Sequence, residues 1–282
     1  MLDRTVTVQQ AITEVYDMEW SRQKNGVLSV KNAEVFGKFY GLDNSLNEVA
    51  TENVRQFKHF CKSTLLYKNG TVNRKLAALS KLFTWARGLK GFRFTWGLPL
   101  VEYEKESNKR EFVVSEELQN KLLLTARLNY LEDQADLWEC LILTGCRVSE
   151  LLNLLWSDVE DGFLHCRDTK TGDDRFVPIF DDAKKIFAKR RKQGIEKPFP
   201  LSIHSVEHHW RNLRKKLGME NEKDFVMHSL RHTCITRLLK KKIGIEVVQK
   251  IVGHKDIRMT QRYNHPTKDD LREAISDIFV KQ

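Results

Sequence analysis

Between Gly97 and Phe112 the chain loses the three- and four-residue apolar spacing that runs on either side of it. That stretch mixes Glu102, Glu104, Lys105, Glu106, Lys109 and Arg110 with few apolar anchors. It cannot form the middle of a packed helix or strand, and it suits an extended connection. The 282 residues therefore divide into two blocks. The expected organisation is a domain over 1–104, a linker over 105–111 and a second domain over 112–282. Domains of roughly 100–200 residues are ordinary for a chain this long.

The first block reads as a small bundle of four or five helices. Val72, Leu76, Leu79, Leu82, Phe83 and Ala86 recur at helical steps from Thr71 to Leu89, with Asn69-Gly70-Thr71 as a turn and candidate N-cap. An earlier helix is expected over Leu46–Tyr67, and a first pair over Val8–Trp20 and Val30–Tyr40. Charge singles out this block. Residues 51–100 hold ten basic side chains and one acid, Glu52, for a local charge of +9 in a chain whose total is +10. Arg74, Lys75, Lys81 and Arg87 fall off the apolar stripe, so they are the candidate contacts to a polyanion.

The second block reads as mainly α with a small antiparallel β-sheet or hairpin. Helices are expected from Ser115, around Ala135–Leu143, over Arg147–Leu155 and at about 181–193, 204–217, 228–241, 245–252 and 257–263. Phe163–Arg167 and Arg175–Ile179 are strand-like, joined by a turn-rich loop containing Lys170. No apolar run approaches the ~20 residues that cross a bilayer, and the start lacks the order of a secretion signal. The five cysteines are scattered without a C-x-x-C pair or metal-ligand spacing, as suits reduced, buried thiols and no resident metal.

Four segments carry chemistry: Thr144-Gly145-Cys146-Arg147 with Glu150 and Leu151; Thr169-Lys170-Thr171-Gly172 leading to Val177-Pro178-Ile179; His228-Ser229-Leu230-Arg231-His232-Thr233; and Gly253-His254 with Tyr263 nine residues later. Each alone has an ordinary reading: a surface ion pair, a solvated turn lysine, a hydrogen bond on a helix face, a packed tyrosine. Their order along one chain does not.

Together these motifs resemble the tyrosine recombinases of the phage-type integrase group, strongly over about 112–265 and more weakly over 71–88. The resemblance implies a helical core-binding domain followed by a catalytic domain, the two closing as a clamp on duplex DNA. It implies strand cleavage by Tyr263 through a covalent 3′-phosphotyrosyl intermediate, without metal, ATP or cofactor. Arg147 and Arg231 would hold the phosphate, Lys170 would protonate the leaving 5′-oxygen, and His228 would be the base or orienting group. His254 would donate to the phosphate and Glu150 would orient its neighbours. Arg175 competes with Lys170 for the hairpin role, and His232 reads as structural.

The implied partners are double-stranded DNA, a homotetramer on DNA and DNA-bending accessory proteins, in a bacterial or archaeal cytoplasm at the nucleoid. The task would be integration or excision of a phage or mobile element. With residues 1–104 as the core-binding domain, the extra arm-site domain of many phage integrases is not expected here. Leu271, Ala274, Ile275, Ile278 and Phe279 form an apolar stripe expected to dock on a neighbouring protomer. A type IB-like topoisomerase and a non-catalytic DNA-binding module are the alternatives.

Overall fold

The computed structural model describes residues 4–106, 112–167 and 174–264, together with Lys268, Arg272 and Ile275. The chain forms two compact units, Met1–Asn108 and Lys109–Gln282.

The first unit is built from α1 (Val8–Met18), α2 (Gly26–Tyr40), α3 (Thr51–Ser63) and α4 (Asn69–Arg87). Thr7 starts α1 with a reciprocal cap, its hydroxyl accepting from the Gln10 amide at 3.1 Å while Gln10 Oε1 accepts from the Thr7 amide at 2.9 Å. The buried stripe of α1 (Val8, Ile12, Val15) joins Phe36, Phe57, Leu76, Leu79 and Phe83 in one core. Phe36 and Phe57 meet edge to face, with ring centroids 5.2 Å apart.

Two sequence expectations change here. The helix expected over Leu46–Tyr67 is a short 3-10 turn, Leu46–Glu48, followed by the shorter α3. Buried Asn47 causes the break. Its amide group donates to the carbonyls of Arg4 (3.0 Å) and Arg93 (2.8 Å), and its oxygen accepts from the Val6 amide (3.1 Å). A side chain committed to distant backbone holds its own segment out of a regular helix. Next, Asn69-Gly70-Thr71 is not a turn but the first turn of α4. The reversal lies earlier, at Leu66 with φ 52°, where the Tyr67 amide reaches back to the Cys61 carbonyl at 2.9 Å. Beyond α4 the chain is held by hydrogen bonds as far as residue 106. Asn73 exchanges two bonds with the Glu104 backbone at 2.8 and 2.9 Å, and Asn69 donates to the Lys105 carbonyl at 2.8 Å. Glu104 pairs with Lys62 at 2.6 Å and Lys58 at 3.2 Å. These charged side chains find fixed partners on α3 and α4.

In the second unit α5 (Glu116–Leu128) and α6 (Glu132–Thr144) are followed by α7 (Val148–Asn153). A three-stranded antiparallel sheet, in order β1 (Val159–Glu160), β2 (Phe163–Cys166), β3 (Arg175–Pro178), comes next. It is followed by α8 (Asp181–Lys192), α9 (Ile203–Lys216), α10 (His228–Lys240), α11 (Ile245–Val252) and α12 (Ile257–Gln261). The central helix is α6, buried almost all round, with Trp138 edge-on to Trp210 at 5.4 Å. In the sheet Leu164 pairs with Val177 and Cys166 with Arg175. Leu164, Cys166 and Val177 turn inward, while Phe163 and Phe176 stay exposed. This alternation puts Arg175 on the inner face of the sheet.

Among the described residues no helix is long and apolar enough to cross a membrane. All five cysteines are buried free thiols. Lys170 lies outside the described residues, as do Leu271, Ala274, Ile278 and Phe279 of the C-terminal stripe; Ile275 is helical and exposed.

Candidate active site

Two left-handed glycine turns frame the site. Gly145, with φ 65°, ends α6, and Gly253, with φ 66°, ends α11. A non-glycine residue would be strained at either. Space reinforces this: a Cβ at Gly145 would sit 3.1 Å from Cys234 Sγ, and one at Gly253 would sit 2.9 Å from the Arg175 guanidinium.

The arginines bind these turns together. Arg147 precedes α7 and donates from Nη2 to the Gly253 carbonyl at 2.9 Å. Arg231, one turn into α10 and 2% exposed, donates from Nη1 to the Gly145 carbonyl at 2.6 Å and from Nη2 to the Val252 carbonyl. Burial and then the neighbouring Arg147 charge pull Arg231 down to about 10, so it stays cationic at neutral pH. Guanidiniums fixed by carbonyls from the two glycine turns form a rigid cationic floor.

Glu150 is the counter-charge. Its two oxygens accept from the Arg147 amide (2.6 Å) and Arg147 Nη1 (2.7 Å), and from Arg175 Nη1 (2.9 Å) and Nη2 (2.8 Å). Burial pushes this carboxyl up, but the Arg175 hydrogen bonds and charge, helped by Arg147, outweigh it and hold it at about 2. Arg175 also donates from Nε to the Ile251 carbonyl at 2.9 Å. It is thus a buried clamp between the sheet and the end of α11, not a solvent-facing hairpin cation. The period-two pattern of Arg175-Phe176-Val177 was the available signal, since it sets the arginine on the same face as buried Val177.

His254 follows the second glycine turn, and its Nδ1 hydrogen-bonds Thr260 Oγ1 at 2.8 Å. Burial first, then the charges of Arg231 and Arg147, lower it to about 3, so the ring is neutral at pH 7. That bond occupies Nδ1, so Nε2 is the ring atom that can meet a phosphate. Tyr263 lies just past α12, where helix was expected to continue, with its amide bonded to the Thr260 carbonyl at 3.0 Å. The ring packs against Ile235, Val248 and Val252. Burial raises its pKa, against the lowering influence of Arg231 and Arg262. Its hydroxyl meets Nδ1 of His232, with ring centroids 5.1 Å apart. His228 stands edge-on to His232 at 4.6 Å, and the His254 ring lies 6.4 Å from Tyr263.

Of the residues expected in the site, Arg147, Glu150, Arg231, His254 and Tyr263 gather around the glycine turns, with His228 beside them. His232, read from the sequence as structural, touches the candidate nucleophile. His228 and His232 lie one helical turn apart, which was the clue.

Among the described residues one group could hold a metal: Cys146 Sγ, Cys166 Sγ and a Glu150 oxygen, within 4.8 Å of one another. The sulfurs are 3.5 Å apart. Glu150 already accepts four hydrogen bonds from two arginines, so it is a poor fit to a cation.

On α4, Arg74 and Arg87 are exposed. Lys81 pairs with Glu19 at 2.5 Å. Lys75 is turned inward: its Nζ donates to Asn32 Oδ1 at 2.6 Å and lies 5.4 Å from the Tyr67 ring centre, and burial lowers its pKa. The basic face is therefore narrower than the sequence spacing implied.

A helical domain with one small sheet and an arginine–histidine–tyrosine cluster at two glycine turns defines an integrase-type catalytic unit. The family model described as the Phage integrase family matches residues 113–270, and the chain belongs to that family. It is 38% identical over 136 residues to the tyrosine recombinase XerA of Saccharolobus solfataricus, an alignment covering 47% of this chain and 45% of that protein. The chain spans about half the length of the first curated relatives it matches. The Tn1549 transposon integrase (residues 82–397), solved with a circular intermediate DNA, superposes with a TM-score of 0.77 at 19% identity, covering 96% of this chain and 99% of that one. A lambda integrase tetramer bound to a Holliday junction superposes with a TM-score of 0.75 at 21% identity, covering 94% and 79%. At these identities the two superpositions speak for the fold.

Proposed function

We propose that this protein is a site-specific DNA recombinase that cuts and rejoins strands through a 3′-phosphotyrosyl bond to Tyr263. The observation that carries the reading is the meeting of Arg147, Arg231, His254 and Tyr263 at the two glycine turns. Attack on a phosphodiester builds negative charge on the non-bridging oxygens, and preorganised cations and N–H donors stabilise it. Arg147 and Arg231 each spend part of their five N–H groups on carbonyls and keep the others for phosphate. Neutral His254 donates from Nε2. The Tyr263 oxygen attacks phosphorus, its proton leaves to a base, and the 5′-oxygen departs with a proton from Lys170 of the β2–β3 hairpin. The covalent link conserves the bond, so a second 5′-hydroxyl can reseal it by the reverse steps.

The first unit is proposed as the core-binding domain, with Arg74 and Arg87 as phosphate contacts. Replacing either with Ala should weaken duplex binding across sequences and reduce the salt slope of log K by about 1 each. Titrations by anisotropy at several salt concentrations check this; an unchanged slope would remove α4 from the interface. Assembly as a homotetramer on two sites, DNA-bending accessory partners, a cytoplasmic location and a task in moving a phage or mobile element belong to the same proposal. The lambda integrase tetramer supports the assembly.

The direct test is a suicide duplex, nicked so that the cleaved strand loses a short fragment. Incubation with the protein in EDTA should give an adduct that survives a denaturing gel, since the cations of this site are side chains. Absence of any adduct on cognate DNA would leave a binding module.

A further inference from the structure

Resting on the recombinase reading, we infer that His232 is the catalytic base that takes the Tyr263 proton. The family motif offers two histidines on one face of α10, at positions 228 and 232. The Tyr263 hydroxyl meets Nδ1 of His232, and His228 abuts the His232 ring edge-on at 4.6 Å. His232 is 9% exposed and Tyr263 is half-buried, so little water competes for the proton. The phenol needs such an acceptor, because burial raises its pKa beyond an already alkaline value. Ionisable groups that face His232 include Tyr263, His228 and His254, with Arg231 beside it in the chain.

The step balances. As the Tyr263 Oη–P bond forms, the O–H bond breaks and its proton passes to His232 Nδ1, giving an imidazolium. The P–O5′ bond breaks and the leaving oxygen takes a proton from a separate acid. In resealing, the imidazolium returns its proton to the departing tyrosyl oxygen, as microscopic reversibility requires. Arg231 and the developing phosphorane charge oppose each other at the imidazolium, which keeps the proton movable in both directions.

The experiment compares His232→Asn with His228→Asn in single-turnover cleavage of the suicide duplex. An Asn amide can keep a hydrogen bond at the position of Nδ1 but cannot take the proton. His232→Asn should therefore bind duplex normally and cleave ~10²–10⁴-fold more slowly near neutral pH. The deficit should shrink as pH rises and the phenol ionises unaided. A duplex with a 5′-bridging sulfur, whose thiolate leaves without a proton, should not rescue it. Cleavage by His232→Asn within about threefold of the parent protein, or rescue by the sulfur leaving group, would overturn the assignment. Should that variant fail to fold, NMR titration of both histidines in the unmodified protein decides. The acid limb of the cleavage profile should follow His232, and a match to His228 refutes the proposal. Failure of the recombinase reading would look different: no adduct from the unmodified protein at any pH.

Discussion

Replacing Tyr263 with Phe should reduce the covalent adduct to background while duplex binding is unchanged. The substitution removes one oxygen, the proposed nucleophile, and leaves the cationic floor of Arg147 and Arg231 untouched, since neither hydrogen-bonds that oxygen. The ring still fills its place against Ile235, Val248 and Val252. Among the described residues the bond lost is that between the hydroxyl and His232, worth about 1 kcal/mol of stability. Tyr16, Tyr40, Tyr67 and Tyr103 lie in the first unit, and Tyr130 follows α5. A denaturing gel against a duplex gel shift measures both quantities on the same samples. Undiminished adduct from Tyr263→Phe would remove this residue from the chemistry and send the search to those five.

The largest effect on stability should come from Glu150→Gln. The carboxylate neutralises Arg147 and Arg175 through four hydrogen bonds, and its side chain is only 11% exposed. An amide removes the charge and turns an N–H₂ group toward a guanidinium. Breaking a buried pair from one side costs roughly 3–5 kcal/mol. A pH test follows from the depressed pKa. The folded value is about 2 against an ordinary 4.5. The folded state therefore holds fewer protons than the unfolded one between those values. The stabilisation is complete above about 4.5 and is lost as pH falls through that window toward 2. At 1.36 kcal/mol per unit it is on the order of 3 kcal/mol. Urea midpoints of the parent protein should fall steeply from pH 5 to pH 2. Those of Glu150→Gln should begin lower and change less over the same range. Parallel curves would show that Glu150 is not the acid-sensitive group. Cleavage should fall with stability, because Arg147 loses the partner that orders it.

Most of the helices were legible because local spacing writes them. The apolar steps of α4 and the Gly turn after α6 need no distant information. The failures share a cause. Leu46–Glu48 is not a helix because Asn47 is claimed by backbone at Arg4 and Arg93. Lys75 turns inward because Asn32 of a different helix awaits it. In each case the deciding partner is about thirty or more residues away.

For the site, the chain alone determined which residue types would meet. A phosphodiester needs fixed cations, a nucleophile and proton carriers, and Arg147, Arg231, His254 and Tyr263 stand in the motifs that supply them. Glu150 was legible too, three residues from Arg147 on α7. Tertiary structure decided the pairing. His228 and His232 share a helix face, so spacing cannot say which faces the tyrosine. That choice is made by the path from Gly253 to Tyr263, where the left-handed turn and the His254–Thr260 bond aim α12. Arg175 likewise became a clamp because Gly253 has no Cβ and leaves room for the guanidinium. Spacing along one helix sets a direction in space; which group occupies that direction depends on other elements packed there.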